Sequence, residues 1–390
     1  MKEMRRMNMH PFPARMAPEL AKMKISRLPD GSKILDPMCG SGTTLRHGID
    51  AGHKVFGWDI DPLAVKMSRI WCSRFDTKKL REKALQIKSE VEKRRKRRCR
   101  FAKCPETQNF VEYWFARSQR EDLNRLSIVI EKLVPKGRTL DFFHIALSRI
   151  IVTKFRGASL AWDVSHSRPH KKKVENDFDT ILEFFNSVEQ LIQIIERDPA
   201  KADASVTNKD CRAIKTNEKF DAIITSPPYL NAIDYMRGHK FSLVWMGYTI
   251  PELRRVRQKS IGSEKGITEL MENPEIQEIS RAVCKGKAVS PRIKRFLFRY
   301  IDDCDRLLGK LSGHLAETGK LIFVVGNSMQ RGTKIYNDKI LCLFAKKYGL
   351  KLEERKSRRI VNGARYLPIS PDNKIGNRMK TEIVLQFSKH

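Results

Sequence analysis

No run of about 18 consecutive apolar residues occurs anywhere in this chain, which excludes a hydrophobic helix long enough to cross a membrane. The opening residues, Met1 to Met9, are polar and basic with no apolar leader core behind them, so a soluble, cytoplasmic protein is expected. Cysteine is sparse. The eight cysteines, at 39, 72, 99, 104, 211, 284, 304 and 342, form no Cys-x-x-Cys pair and no regular framework, which points to reduced thiols. Internal repeats and low-complexity linkers are also missing, and solenoid or array architectures go with them.

The other shortage is of acid. Lys and Arg number 77 against 45 Asp and Glu, a formal charge of +32, and an excess of this size calls for a polyanion or an anionic surface as partner. Nucleic acid is the leading candidate. Hydrophobic residues make up 41% of the 390, enough to bury one large domain with an insertion or two modest domains.

Short β-branched or apolar runs ending in Gly, Asp or Pro alternate with longer helical patterns, which predicts the α/β class with an open, mostly parallel sheet covered by helices. Strands are expected at Lys33–Leu35, Lys54–Trp58, Ala204–Thr207, Phe220–Thr225, Lys320–Val325 and Glu382–Phe387, with a further one near Lys351–Lys356. About 145 residues separate the second strand from the third, far more than one crossover requires, so a helical insertion over 76–203 is expected. Within it, Leu80, Ala84, Ile87 and Val91 recur at helical spacing. So do Leu123, Leu126, Ile130 and Leu133, and then Phe178, Ile181, Phe185, Val188, Ile192 and Ile195.

Two strand ends carry chemistry. Ile34-Leu35-Asp36-Pro37-Met38-Cys39-Gly40-Ser41-Gly42-Thr43-Thr44 reads as a strand, a small-residue turn and a helix start, and Gly40 and Gly42 let backbone and ligand approach closely. Asp59 ends the next strand, where an acid accepts hydrogen bonds from a ribose diol. A third Gly and a Lys-Ser/Thr pair are both lacking, so adenosine on a sulfonium amino acid fits better than a pyrophosphate. Farther on, Phe220–Thr225 runs into Ser226-Pro227-Pro228-Tyr229. Its two prolines fix the backbone and leave the Ser226 hydroxyl and the Pro227 carbonyl as a rigid acceptor pair.

These motifs resemble those of the amino-methyltransferases that act on DNA, specific for cytosine N4 or adenine N6. Asp36 to Thr43 is similar to their cofactor motif and Ser226 to Tyr229 to their catalytic motif. His10-Pro11-Phe12-Pro13-Ala14-Arg15 is similar to the segment that closes their cofactor pocket. The resemblance covers 1–75 and 204–390 as the catalytic domain; the long insertion departs from the simplest members and is a candidate for target recognition.

It implies a doubly wound, Rossmann-like fold and S-adenosyl-L-methionine as cofactor. Asp36, Pro37, Gly40, Gly42, Thr43, Asp59, Asp210, His10 and Phe12 are then cofactor-site candidates, and Ser226, Pro227, Pro228 and Tyr229 are catalytic ones. Ser in the first catalytic position goes more often with cytosine, Asp with adenine. RNA, or a basic DNA-binding protein on an inactive methyltransferase fold, are the rival readings. No RNA-binding module is visible, and Ser226, Tyr229 and Asp59 are intact.

A base inside a duplex is unreachable, so duplex DNA with the base flipped out is the expected partner, at a cost of about a few kcal/mol. Lys93, Arg94, Arg95 and Arg97 on a basic run, His166 and Arg168 in a polar loop, and Asn231 and Arg237 after the catalytic turn are the candidate DNA contacts. Further basic clusters lie at Arg254 to Lys259, Lys285 to Arg295 and Arg355 to Arg359. His166 and His170 have ligand-like spacing but no accompanying thiolate, and no metal is expected. The residues name no membrane and no recognition sequence, and they leave a cognate restriction endonuclease open as a partner.

Overall fold

The computed structural model describes residues 9–12, 16–93, 100–101, 103–230, 234–263, 268–287, 289–330, 333–360 and 381–389. Seven strands form its main sheet: β1 (Lys33–Asp36), β2 (Lys54–Asp59), β3 (Ser205–Asn208), β4 (Phe220–Thr225), β5 (Leu315–Val325), β6 (Leu350–Arg359) and β7 (Thr381–Lys389). Their spatial order is β6-β7-β5-β4-β1-β2-β3. The five strands from β3 to β5 run parallel, and β7 and β6 are added antiparallel at one side.

Alternation along the strands splits the apolar residues between two faces. Ile34, Ala222, Ile224, Ile322, Val324 and Val384 turn to one side, under α1 (Pro18–Ile25) and α2 (Thr43–Asp50). Leu35, Ile223, Leu321, Phe323, Leu385 and Phe387 turn to the other, under α11 (Pro274–Val283), α12 (Pro291–His314) and α13 (Asn337–Lys347). Burial on both faces explains why β4 reads as an unbroken apolar run. Strand β6 instead carries a row of charged side chains, which suits an edge that must not recruit another strand.

All seven expected strands are present, and β5 begins earlier than its sequence pattern indicates. Its first half, Leu315-Ala316-Glu317-Thr318-Gly319, has no strand-like alternation. A Cβ at Gly319 would lie 2.9 Å from the Phe220 carbonyl oxygen, so glycine is what admits this stretch beside β4.

Between α3 (Pro62–Trp71) and β3 the chain makes α4 (Thr77–Lys93), α5 (Pro105–Trp114), α6 (Arg117–Leu133), α7 (Arg138–Arg149) and α8 (Thr180–Arg197). A two-stranded ribbon, Ala161–Trp162 with His170–Lys171, lies between the last two. The expected helical periodicities fall on α4, α6 and α8. Phe178 is the exception, because the Asp179 side chain accepts from the Leu182 amide and starts α8 at Thr180.

These helices share their core with three helices from outside the insertion. Leu63, Met67 and Ile70 of α3 meet Phe142, Ile145, Phe184 and Leu191, and the same cluster takes in Phe241 of α9 (Met236–Leu243), Trp245, and Leu253 of α10 (Ile250–Lys259). Helix α3 is thus buried on two sides, since its Val65 joins the sheet-facing cluster.

Arg46 fastens the point where the insertion returns to the sheet. Its side chain is 3% exposed, and its guanidinium donates to the carbonyls of Trp71, Asp198 and Pro199 while pairing with Asp198 at 2.7 Å and Asp50 at 2.9 Å. Arg46→Met removes every one of these bonds. It should cost about 2 kcal/mol or more of unfolding free energy in a denaturant titration, and a change below about 0.5 kcal/mol would mean the guanidinium is dispensable.

Candidate active site

Strand β1 ends in Asp36, whose buried carboxylate accepts from the Met38 amide at 3.2 Å and from the Thr225 hydroxyl at 2.7 Å. Thr225 is the last residue of β4, so this one bond ties the glycine turn to the proline turn. Pro37 and Met38 form the bend, and the Cys39 amide donates back to the Trp58 carbonyl on β2. Gly40 and Gly42 both lie in left-handed backbone, at φ +51° and +88°. A Cβ on Gly42 would stand 3.1 Å from the Ser68 Cα, and one on Gly40 would stand 3.2 Å from the Phe12 ring. The Ser68 hydroxyl donates to the Gly40 carbonyl at 2.7 Å, so α3 holds the turn from below. Gly42 caps α2 without a side-chain hydrogen bond, and Thr43 is the first residue of the helix.

Asp59 closes β2 beside this turn. One carboxylate oxygen accepts from the Gly40 amide at 2.8 Å and the other from the Asp61 amide at 2.9 Å. Burial and the neighbouring Asp61 charge push its pKa up to about 7, against the pull of those two amides. Burial likewise lifts Asp36 to about 6, opposed by its hydrogen bonds from Thr225, Thr44 and Met38.

The proline turn leaves β4 alongside β5. The Ser226 hydroxyl donates to the Val324 carbonyl at 2.9 Å, which spends its proton on the neighbouring strand and leaves its lone pairs as acceptors. Pro227 is buried, and Pro228 and Tyr229 are half-buried. The Tyr229 ring packs on the core beneath α12, and its hydroxyl bonds with Ser226 and the Gly326 backbone. Burial drives that phenol's pKa upward and keeps it neutral.

Two further residues, Ser328 and Asn337, hold the turn's far end. Ser328 Oγ donates to the Leu230 carbonyl at 2.9 Å. Asn337 Nδ2, fully buried at the start of α13, donates to Ser328 Oγ at 2.9 Å and to the Gly326 carbonyl at 2.8 Å. A third, His239, closes the side of the site. Its Nδ1 lies 2.5 Å from Asp61, whose other oxygen caps α3, while its ring sits 5.5 Å from Phe12. Phe12 in turn stacks on Tyr235 at 5.1 Å and 13°. No local pattern in the sequence marks Asn337 or His239.

Other expected site residues lie elsewhere or at the margin. His10 is buried with Nε2 2.8 Å from Ser148 on α7, which anchors the segment leading to Phe12 on the insertion. Asp210, just past β3, accepts from the Arg212 amide and guanidinium. Burial works against its ionisation, yet Arg212 holds its pKa below the usual carboxylate value. That guanidinium also pairs with buried Asp303.

Lys93 is exposed at the end of α4, and Arg94, Arg95, Arg97 and Asn231 lie outside the described residues. His166 is exposed with Nδ1 2.5 Å from Asp163, and Arg168 follows in the same loop. This loop is keyed to α9, because a Cβ on Gly238 would stand 2.5 Å from the Val164 carbonyl oxygen. Arg237 is exposed and shares Asp234 with Arg257. Part of the remaining basic charge is structural: Arg254 pairs with Glu106, Arg355 with buried Asp338 and Arg358 with Glu382.

The model of the Eco57I restriction-modification methylase family matches residues 53–244, from β2 to the end of α9 and so across the insertion and the proline turn. The Type II methyltransferase M.MvaI of Kocuria varians is 23% identical over 98% of this chain and 90% of its own length. M.AvaI of Nostoc sp. (strain PCC 7120 / SAG 25.82 / UTEX 2576), also a Type II methyltransferase, is 24% identical over 83% of this chain and 74% of its own. Among solved structures, a TehB-like SAM-dependent methyltransferase from Corynebacterium glutamicum aligns at TM-score 0.31 and 10% identity over 95% of this chain and 88% of its own.

The raised acid of Asp59 has a consequence for stability. Below about pH 4 the folded and unfolded chains both hold its proton; between 3.8 and about 7 the unfolded chain releases a proton that the folded one keeps, so stability falls as pH rises. Buried His144, pushed down to about 3, acts in the opposite sense over part of that range, so the test is a difference. Relative to Asp59→Asn, the ligand-free wild type should lose about 2–4 kcal/mol of unfolding free energy between pH 4 and pH 7.5, and a gap that does not vary with pH contradicts the assignment.

Proposed function

We propose, from this chain's similarity to restriction-modification DNA methyltransferases, that it transfers a methyl group from S-adenosyl-L-methionine to the exocyclic N4 of a flipped cytosine in DNA. The observation that carries the reading is the hydrogen bond from Thr225 to Asp36, which holds an acceptor turn beside a glycine turn at the carboxyl ends of neighbouring parallel strands. Ligands of open α/β sheets bind at such strand ends.

The residues present suit the cofactor. The Phe12 ring stands so close over Gly40 that a Cβ there would crowd it, and Asp59 keeps lone pairs on both oxygens for a ribose diol. When bound, the cofactor supplies an electrophilic methyl on a sulfonium. The protein's task is then to position and polarise the amine. An exocyclic amine is a poor nucleophile because its lone pair is delocalised into the ring. Hydrogen bonds from it to Ser226 Oγ and the Pro227 carbonyl localise that pair and aim it. Ser226 is ready for this role because its own proton is already given to Val324. Tyr229 offers a ring whose hydroxyl is tied down, which suits stacking on the base. Serine as the first residue of the turn favours cytosine.

Labelled S-adenosyl-L-methionine should be offered with duplex DNA, single-stranded DNA and transfer RNA, and the products digested to nucleosides for mass spectrometry. N4-methylcytosine from DNA is expected. N6-methyladenine would overturn the base, and label confined to RNA would overturn the DNA substrate. Tyr229→Ala should lower turnover on DNA by about tenfold or more while calorimetric cofactor binding persists, whereas Asp59→Ala should weaken the cofactor first. Loss of cofactor binding in Tyr229→Ala, or an unchanged affinity in Asp59→Ala, would reverse these roles.

A further inference from the structure

The insertion carries an exposed aromatic patch whose rings are covered by lysines. Phe155, 56% exposed, meets Trp162 edge to face at 5.7 Å, and Tyr113, 54% exposed, stands nearby on α5. Each ring has an ammonium over it: Lys154 Nζ is 4.9 Å from the Phe155 centroid, Lys172 Nζ 4.8 Å from Trp162 and Lys171 Nζ 4.4 Å from Tyr113. Trp162 and Lys171 belong to the ribbon strands, and backbone bonds from Asp163 to Lys154, Leu160 to Trp114 and Lys172 to Leu160 hold the group together.

Large exposed rings beside cations with no paired carboxylate among the described residues are a surface waiting for an anionic, stackable partner. The patch is also rigidly placed. The ribbon's loop runs from Asp163 to Ser167, two residues held at positive φ, and Val164 touches α9 at Gly238, one turn from the Tyr235 that stacks on Phe12. That contact ties the ribbon to α9.

Resting on the DNA reading above, we propose that this aromatic–lysine ribbon is the duplex-DNA docking surface of the protein, with Lys154, Lys171 and Lys172 neutralising phosphates and Phe155 in contact with the sugars or bases of the bound duplex. Charge complementarity selects the partner. A lysine over a ring can swing to a phosphate and leave the ring face for the nucleic acid, and apolar side chains of this kind wedge against the strained step of distorted DNA.

The test is fluorescence anisotropy of the full chain with a labelled DNA duplex, at a series of salt concentrations and without cofactor. Phe155→Ala, a change at an exposed ring, should raise Kd about tenfold. The triple variant Lys154→Gln/Lys171→Gln/Lys172→Gln should reduce the slope of log K against log salt by about 2 to 3. Wild-type duplex affinity and salt slope in both variants would overturn the proposal, as would tighter binding to an RNA hairpin than to duplex DNA that is lost in the same variants. Calorimetry with S-adenosyl-L-methionine separates this from the catalytic reading. Duplex binding lost in the variants supports the surface even if wild type transfers no methyl group; unaltered binding with an active wild type removes the surface and leaves the reading standing.

Discussion

Much of this molecule depends on one buried carboxylate. Asp36 sits where two neighbouring parallel strands end, and it is tolerated there because the Thr225 hydroxyl and the Met38 amide compensate its burial. The bond fixes how far apart the glycine turn and the proline turn can lie. Everything around it repeats the device: Asp59 grips the Gly40 amide, Ser68 grips the Gly40 carbonyl, Ser226 grips Val324, and Asn337 grips Ser328 and Gly326. The site is a set of loops whose backbone is held by side chains of the scaffold, which is how irregular chain is kept in place at a strand end.

The large positive charge divides into two populations. Arg46 and Arg212 are spent inside the fold, and Arg355 and Arg358 reach carboxylates from its margin, so that their forks satisfy groups that would otherwise be left unpaired. Lysines of the inserted ribbon lie over rings instead. Counting charge therefore overstates the surface available to a polyanion, since part of it is already paired within the scaffold.

Local signals carried a good deal of this to the reader of the sequence. Short β-branched or apolar runs marked the strands, the long gap after β2 marked the insertion, and small residues at Gly40 and Gly42 matched backbone that only glycine enters easily. Ser226-Pro227-Pro228-Tyr229 was visible because prolines are visible. What stayed hidden was side-chain bonding across long stretches of chain. Nothing near Asn337 shows that it reaches Ser328 and Gly326, nothing near His10 announces Ser148, and Gly238 looks like any helical glycine until Val164 is laid against it. The early start of β5 was hidden for the opposite reason, since a close backbone approach at Gly319 overrides a locally unstrandlike sequence.

The shared core of α3, α9 and the inserted helices bears on how such proteins can be recombined. An insertion with its own closed core could be traded between relatives at its two ends, like a cassette. Here the exchange would expose Leu63, Met67 and Phe241 to water and bring a foreign loop against Gly238. A working chimera would have to carry the insertion together with the outward face of α3 and the whole of α9, so the unit of inheritance is a discontinuous set of segments, and the insertion can drift only in step with the helices outside it that share its core.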